Sequence, residues 1–391
     1  MPERTLDTVT MDGFRGLRNL KLENLGWVNI LVGENNSGKT SVLEALSILC
    51  NPREPLEWLA MVRRRDFGGL DETRIQSLRW CFRQSGELTD PDAMLSAACR
   101  MTCSGTFPLL ALTALYQDIV GEPTQEELRR TIRHPGVGRN ALSLDTSEQP
   151  GAILTHHITH TVPVQTQAFQ ADIPITPPEI HDIRIWEKTA SSFVRNLSTS
   201  KGLKIKNATL TPYSYQLNQN QVRALSRQVF ATNSAMNLQL VRDFDPDIEA
   251  VEVASFRGER PAIYLKHKRL GPAPLSVFGD ALRRALLLAN TLQTLQNGGL
   301  LLIDEIETGI HVSALGRVFS WLMKWAVKLK VQIIATTHSL EALDAIALST
   351  TENPGNLVTY HLEQTEQETK VKRIGGELLL RLRRERGLDV R

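Results

Sequence analysis

Eight consecutive residues, Gly33, Glu34, Asn35, Asn36, Ser37, Gly38, Lys39 and Thr40, have the types and spacing needed to wrap a polyphosphate. Gly33 and Gly38 let the backbone curl with its N–H groups pointing inward, toward an anion that also feels the positive end of a following helix. Lys39 adds a mobile cation, and Thr40 offers a hydroxyl to Mg²⁺. The pattern G-x-x-x-x-G-K-[ST] works only between a strand and a helix. Both are written beside it: an apolar run from Trp27 to Val32 precedes it, and Val42, Ala45, Leu46 and Leu49 recur at the spacing of a buried helix face. The segment is expected to bind ATP with Mg²⁺.

A second group of candidates lies far downstream. Leu300-Leu-Leu-Ile303 is a short apolar run ending in two adjacent acids, Asp304 and Glu305. Successive strand residues point opposite ways, so the two are expected to divide the work: Asp304 for Mg²⁺, Glu305 to orient and deprotonate an attacking water. The next apolar run, Val331 to Thr336, is followed by His338, placed to donate to a terminal phosphate. Upstream, Ser276 and Gly279 open an apolar helix running toward Leu295 and could form another anion-binding cup, although alone they are no more specific than a helix cap.

Composition sets outer bounds. With 391 residues, 41% hydrophobic and 23% charged, the chain has the profile of an ordinary globular protein large enough for two units or one domain with an insertion. No apolar run reaches the ~20 residues needed to cross a bilayer, and no signal-peptide core follows Met1, so a cytoplasmic protein without a membrane partner is expected. A net charge of +2 gives no strong overall field for nucleic acid. Cys50, Cys81, Cys99 and Cys103 lack CxxC pairing and read as reduced, buried thiols. His156, His157 and His160 read as solvated imidazoles on a strand rather than metal ligands.

The positioning elements can be sketched from periodicity. Thr5 to Leu25 reads as a short hairpin leading into the loop strand. Between residues 51 and 204 the pattern turns to antiparallel strands, including Met101 to Leu115 and Ala152 to Gln165, which suggests an insertion. Helical spacing returns at Asn218 to Asn233, then come strands at Ile248 to Ser255 and Ala262 to Lys266, then alternating helix and buried strand. That alternation implies parallel βαβ units, whose ligands bind at the carboxyl ends of the strands.

Taken in order, Phe14-Arg-Gly-Leu17, the phosphate loop, the Ser276-Val-Phe-Gly279 segment, Asp304-Glu-Ile-Glu-Thr-Gly-Ile-His311 and Ala335-Thr-Thr-His-Ser-Leu-Glu341 resemble the ABC-type ATPase heads of the RecF, SMC and OLD branch. The resemblance covers about residues 1 to 50 and 205 to 391. It implies an α/β P-loop NTPase of ABC-ATPase type, with a mixed β-sheet flanked by helices and a mainly β middle insertion. The parts would be an N-terminal head segment (1–50, Walker A), the insertion (51–204), and a C-terminal head segment (205–391) with signature, Walker B and switch His. It further implies phosphate binding by Gly33 to Thr40, Mg²⁺ at Thr40 and Asp304, Glu305 as base, and His338 on the γ-phosphate. Ser276 and Gly279 would reach the nucleotide of a second copy in a homodimer or higher homo-oligomer. Ala281 departs from the pattern where a second Gly is common, and Gln216 or Gln84 are the candidates for a Q-loop glutamine.

No long coiled coil is written, which argues against the SMC type, and no acidic cluster after His338 suggests the Toprim nuclease of OLD proteins. The expectation is an ATPase subunit whose output lies in a separately encoded effector, similar to the ATPase components of anti-phage systems such as PARIS or the retron-associated and Septu pairs. A RecF-like DNA-repair clamp that binds nucleic acid is the alternative. Lys370, Lys372, Arg373, Arg381, Arg383, Arg384, Arg386 and Arg391 concentrate positive charge near the end of the sequence, interrupted by Leu378, Leu379, Leu380 and Leu382. A helix docked by its apolar side or a phosphate-contacting surface both fit that pattern.

Overall fold

The structure is a computed structural model that describes residues 4–54, 56–64, 74–82, 96–106, 109–124, 147–166, 169–174, 177–187, 192–195, 204–214, 234–255 and 261–391. The strands are β1 (Leu6–Asp12), β2 (Leu20–Leu22), β3 (Val28–Val32), β4 (Ser96–Gly105), β5 (Leu109–Gly121), β6 (Gln149–Thr166), β7 (Phe169–Pro174), β8 (Glu179–Trp186) and β9 (Ser192–Arg195). They continue as β10 (Asn207–Leu210), β11 (Ile248–Ala254), β12 (Ala262–His267), β13 (Gly271–Pro274), β14 (Leu300–Ile303), β15 (Gln332–Thr336), β16 (Leu357–Gln364) and β17 (Thr369–Gly375). The helices are α1 (Lys39–Cys50), α2 (Leu56–Arg63), α3 (Arg74–Arg79), α4 (Ser234–Phe244), α5 (Asp280–Thr294), α6 (Val312–Leu329), α7 (Leu340–Ser349) and α8 (Gly376–Arg384).

One sheet carries the candidate chemistry. Its order is β10-β14-β15-β3-β16-β17, parallel throughout except for β17, which returns antiparallel to β16. Parallel pairing brings the carboxyl ends of β3, β14 and β15 to one edge, so the phosphate loop, Asp304 and Thr336 meet there although the sequence scatters them. These strands are buried at every position, as parallel strands covered on both faces must be. Alternate residues serve opposite faces. Leu31, Leu300, Leu302 and Ile334 join the core around α1, whereas Val28, Ile30, Leu301, Ile303 and Ile333 join the core around α5, α6 and α7.

The second large sheet runs β2-β1-β4-β5-β6-β8-β9, with β7 on β6. Its β4–β9 part pairs directly onto β1 through β4, so these strands extend a layer that the first described residues of the chain begin. That layer covers α1 from the side opposite the parallel sheet. A helix expected to bury one stripe is therefore buried along nearly its whole circumference, from Lys39 to Cys50 with Thr40 the one partly open position. Phe14 of the Phe14-Arg-Gly-Leu17 segment stands edge-on to Trp58, and Arg15 forms an ion pair with Glu44 of α1 at 2.8 Å. A third, small sheet, β11-β12-β13, packs with α4 and the start of α5 around Val241, Ile248, Leu265 and Leu286.

One expectation changes. His156 is not solvated: it is 1% exposed, tilted against Trp58 and paired across the strands with His181. Its strand alternates, but the face it points to is the covered one. Gln84, Gln216 and the helix expected over Asn218 to Asn233 lie outside the described residues. The basic terminal segment forms β17 and α8, and α8 docks on the head through Leu379, with Leu380 and Leu382 packed beside it. Arg383 is held by both oxygens of Asp344 in α7, at 2.6 and 2.8 Å.

Candidate functional site

The loop between β3 and α1 takes a shape that its glycines make available. Gly33 has φ 143° and Gly38 φ 92°, both in the region that side chains rarely enter. A Cβ on Gly33 would sit 2.3 Å from the Leu362 carbonyl oxygen, and one on Gly38 would strike Leu17 at 2.6 Å. Helix α1 starts at Lys39 with Gly38 as its N-cap and no side-chain cap, so its first N–H groups face the loop. Glu34, Asn35 and Asn36 are exposed on the loop crest, while Ser37 is buried.

Lys39 is only 4% exposed. Its ammonium donates to the Gly33 carbonyl at 2.8 Å, the Glu34 carbonyl at 2.6 Å and Ser37 Oγ at 3.2 Å. Burial lowers its pKa, and the charge of Asp304 opposes that shift. A cation with three loop acceptors and a carboxylate nearby is poised to exchange those acceptors for phosphate oxygens. A cleft of about 940 Å³ borders the loop, lined among others by Arg18, Ser37, His361, Gln364 and Arg391.

The two halves of the candidate site are in contact. Thr40 Oγ1 donates to Asp304 at 3.1 Å to Oδ1 and 3.2 Å to Oδ2. Thr336 Oγ1, at the end of β15, donates to the same Oδ1 at 2.7 Å. A hydroxyl and a carboxylate held together at the end of a phosphate loop are the oxygen donors that Mg²⁺ takes, so the residues present fit that ion.

Glu305 is placed differently from the expectation. Strand β14 ends at Ile303, and Glu305 lies past it with φ 48°, so a left-handed turn, not strand alternation, separates the directions of the two acids. Such a backbone costs a non-glycine residue roughly 1–2 kcal/mol and persists only when neighbours hold it. Here the Glu305 N–H donates to Thr336 Oγ1 at 2.8 Å, and Thr308 Oγ1 donates to Glu305 Oε2 at 3.0 Å. His338 is exposed just beyond β15; its N–H donates to Glu307 Oε1 at 3.1 Å and its carbonyl accepts from Arg391 Nη1 at 3.0 Å.

Ser276 and Gly279 stand apart. Ser276 sits in a single 3-10 turn (Leu275–Val277) and Gly279 caps α5; both are exposed, and no hydrogen bond among the described residues ties either to Gly33–Thr40. A Cβ on Gly279 would meet nothing within 4 Å. The two are thus open to a partner.

Sequence reasoning passed over Thr336, Glu307 and Arg391 as parts of this site. The signal for Thr336 was present: a hydroxyl ending a buried strand, beside the strand that ends in Asp304. Elsewhere, Asp245, Asp247 and His267 cluster, but His267 Nδ1 accepts the N–H groups of Arg269 and Leu270. Its Nε2 then carries the proton and faces Asp245 at 3.2 Å, which makes the trio an internal brace rather than a metal centre.

The fold is α/β: a mixed, helix-flanked sheet carries a phosphate-loop sequence between β3 and α1, and a second sheet of antiparallel strands lies across α1. Residues 5–92 match the family model described as "AAA ATPase domain", and residues 185–344 match "AAA domain, putative AbiEii toxin, Type IV TA system". An ATP/GTP phosphatase of Helicobacter pylori is 23% identical over 364 residues, covering 87% of each chain. Uncharacterized protein MJECL10 of Methanocaldococcus jannaschii is 49% identical over 49 residues, so the match spans 12% of this chain and 22% of that one. Among solved structures, the SMC head domain from Thermotoga maritima aligns over 94% of this chain and 98% of its own with 11% identity and a TM-score of 0.42. An Smc head domain bound to the C-terminal domain of ScpA, derived from Pyrococcus furiosus, aligns over 97% and 98% with 10% identity and a TM-score of 0.47.

Proposed function

We propose that this chain binds Mg²⁺-ATP and hydrolyses it at the edge formed by β3, β14 and β15. The observation that carries this reading is the Thr40–Asp304 contact, which joins a complete phosphate loop to the acid pair of a strand 264 positions away. In this reading the backbone N–H groups of Gly33 to Gly38 and the Lys39 ammonium hold the phosphates. Thr40 and Asp304 would hold Mg²⁺, which when bound neutralises phosphate charge. Glu305 takes the proton from the attacking water: Thr308 secures Oε2, and Oε1 has no hydrogen bond among the described residues. His338 reaches the terminal phosphate from the neighbouring strand tip.

The site is taken to be shared. Ser276 and Gly279, exposed and apart from their own loop, would cap the γ-phosphate bound by a second copy, giving a homodimer with two composite sites. The setting we infer is a cytoplasmic ATPase subunit that governs a separately encoded effector in bacterial anti-phage defence. The family description of residues 185–344, which names a toxin of a Type IV TA system, supports a two-component setting of that kind.

The test is ATP binding by Lys39→Ala with its fold checked by circular dichroism, followed by mixing Lys39→Ala with Ser276→Arg chains. Lost affinity in the first and recovered hydrolysis in the mixture are expected, because one composite site of a mixed dimer carries neither change. Unchanged ATP affinity in Lys39→Ala overturns the phosphate-loop assignment, and no recovery in verified mixed dimers overturns the shared site.

A further inference from the structure

Thr336 stands where three parts of the site meet. Strand register sets it there: Ile303 of β14 lies opposite Ala335, which puts the next residue of β15 beside Asp304, and on its other side Thr336 pairs with Leu31 of β3, just before the phosphate loop. It is 1% exposed, so water does not compete for its bonds.

A threonine hydroxyl has one proton and two lone pairs, and here their use is determined. The proton goes to Asp304 Oδ1 at 2.7 Å, and the oxygen accepts the Glu305 N–H at 2.8 Å. The Thr336 carbonyl accepts the Ile306 N–H at 3.0 Å. One residue thereby fixes the carboxylate of Asp304 and the backbone of the left-handed turn that aims Glu305.

We propose that Thr336 is a positioning residue for hydrolysis: its hydroxyl sets the distance and angle between the Asp304 and Glu305 carboxylates, and although Thr40 also donates to Asp304, no phosphate-loop residue among the described residues accepts the Glu305 N–H. The inference rests on the hydrolysis reading above, but the pin is made by protein atoms alone and can be measured without nucleotide.

Thr336→Val keeps the branched shape and the packing while removing the hydroxyl; Thr336→Ser keeps the hydroxyl and removes a methyl group. In Thr336→Val, the kcat for ATP should fall about 10–100-fold, the loss usual when a group orienting a ligand residue is removed. The ATP KM should stay within about threefold, because Lys39 and the loop retain their contacts; a merely loosened fold would not separate the two constants. In the nucleotide-free protein, the Glu305 amide should exchange its hydrogen about tenfold faster, matching one lost internal hydrogen bond. Thr336→Ser should preserve both properties. Unaltered Glu305 exchange in a folded Thr336→Val protein, or a kcat within twofold of wild type, overturns the proposal. If Thr336→Val does not fold, Thr336→Ser decides: wild-type exchange and turnover support the pin, and loss of either overturns it. A wild-type chain that does not turn over ATP would sink the hydrolysis reading, while the exchange measurement would still judge the pin.

Discussion

Thr40 Oγ1 lies 3.1 Å and 3.2 Å from the two carboxylate oxygens of Asp304, so the two residues proposed to hold Mg²⁺ stand in direct contact. Two consequences are measurable. ATP affinity should rise on adding Mg²⁺ and fall back with a chelator. In Asp304→Asn that gain should disappear, with turnover reduced roughly 10²-fold, while affinity for ATP without metal is retained. Titrations of both proteins with and without Mg²⁺ check this; a wild-type Mg²⁺ response in Asp304→Asn would place the ion elsewhere.

Arg391 donates to the His338 carbonyl and is itself gripped by Asp389, at 2.8 Å from its Nη2. Both residues are exposed, so the brace is weak in energy but local in effect. Arg391→Ala should lower kcat about two- to fivefold with unchanged ATP affinity, the scale of an exposed polar contact. Steady-state kinetics decide the matter: a changed affinity with intact kcat would show that Arg391 serves the cleft beside the loop and not His338.

Among the basic residues of the terminal segment, Arg383 differs in kind from its neighbours. It is bidentate to Asp344 and largely covered, whereas Arg381 and Arg384 are exposed and make no ion pair among the described residues. Arg383→Ala should destabilise the protein by about 1 kcal/mol, visible as a drop of a few degrees in Tm. Arg381→Glu and Arg384→Glu should leave Tm unchanged, and they are the pair to test for salt-sensitive nucleic-acid binding. Equal Tm for all three variants would contradict the anchoring role of Arg383.

His156 makes stability depend on acid. Burial first, and the neighbouring His181 and His157 rings next, push its pKa down to about 3 from the ordinary imidazole value of 6.5. Between those values the unfolded chain binds a proton that the folded one refuses, so stability is complete above about pH 6.5 and is lost as pH falls toward 3, by up to ~1.4 kcal/mol per pH unit from this residue. Denaturant unfolding of the wild type and of His156→Phe across that window should show a shallower slope in the variant. An identical slope would mean that His156 titrates normally.

Much of the parallel sheet could be read from the chain because its signals are local. The loop at Gly33–Thr40 carries its own mechanism, and the apolar runs ending at Asp304 and Thr336 are strands whose burial leaves little choice of period. What could not be read depends on contacts between distant segments. Nothing near Val42 or Leu49 announces that β4–β9 will pair onto β1 and cover the second side of α1, and the same covering turns His156 inward. Glu305 illustrates a different gap. Its left-handed backbone is unfavourable by itself and exists because Thr336, 31 positions later, accepts its N–H. The exposure of Ser276 and Gly279 is equally invisible in sequence, since a capping glycine looks the same whether it faces solvent or a core.

The central claim is that Glu305 takes the proton from a water attacking bound ATP. The most direct measurement is phosphate release by Glu305→Gln beside the wild type, with ATP binding followed in the same samples. ATP should bind to the variant within a few-fold of the wild type and remain intact, with turnover lower by ~10²–10⁴-fold, the contribution of a general base. Wild-type turnover in Glu305→Gln would contradict the account and assign the base to another residue.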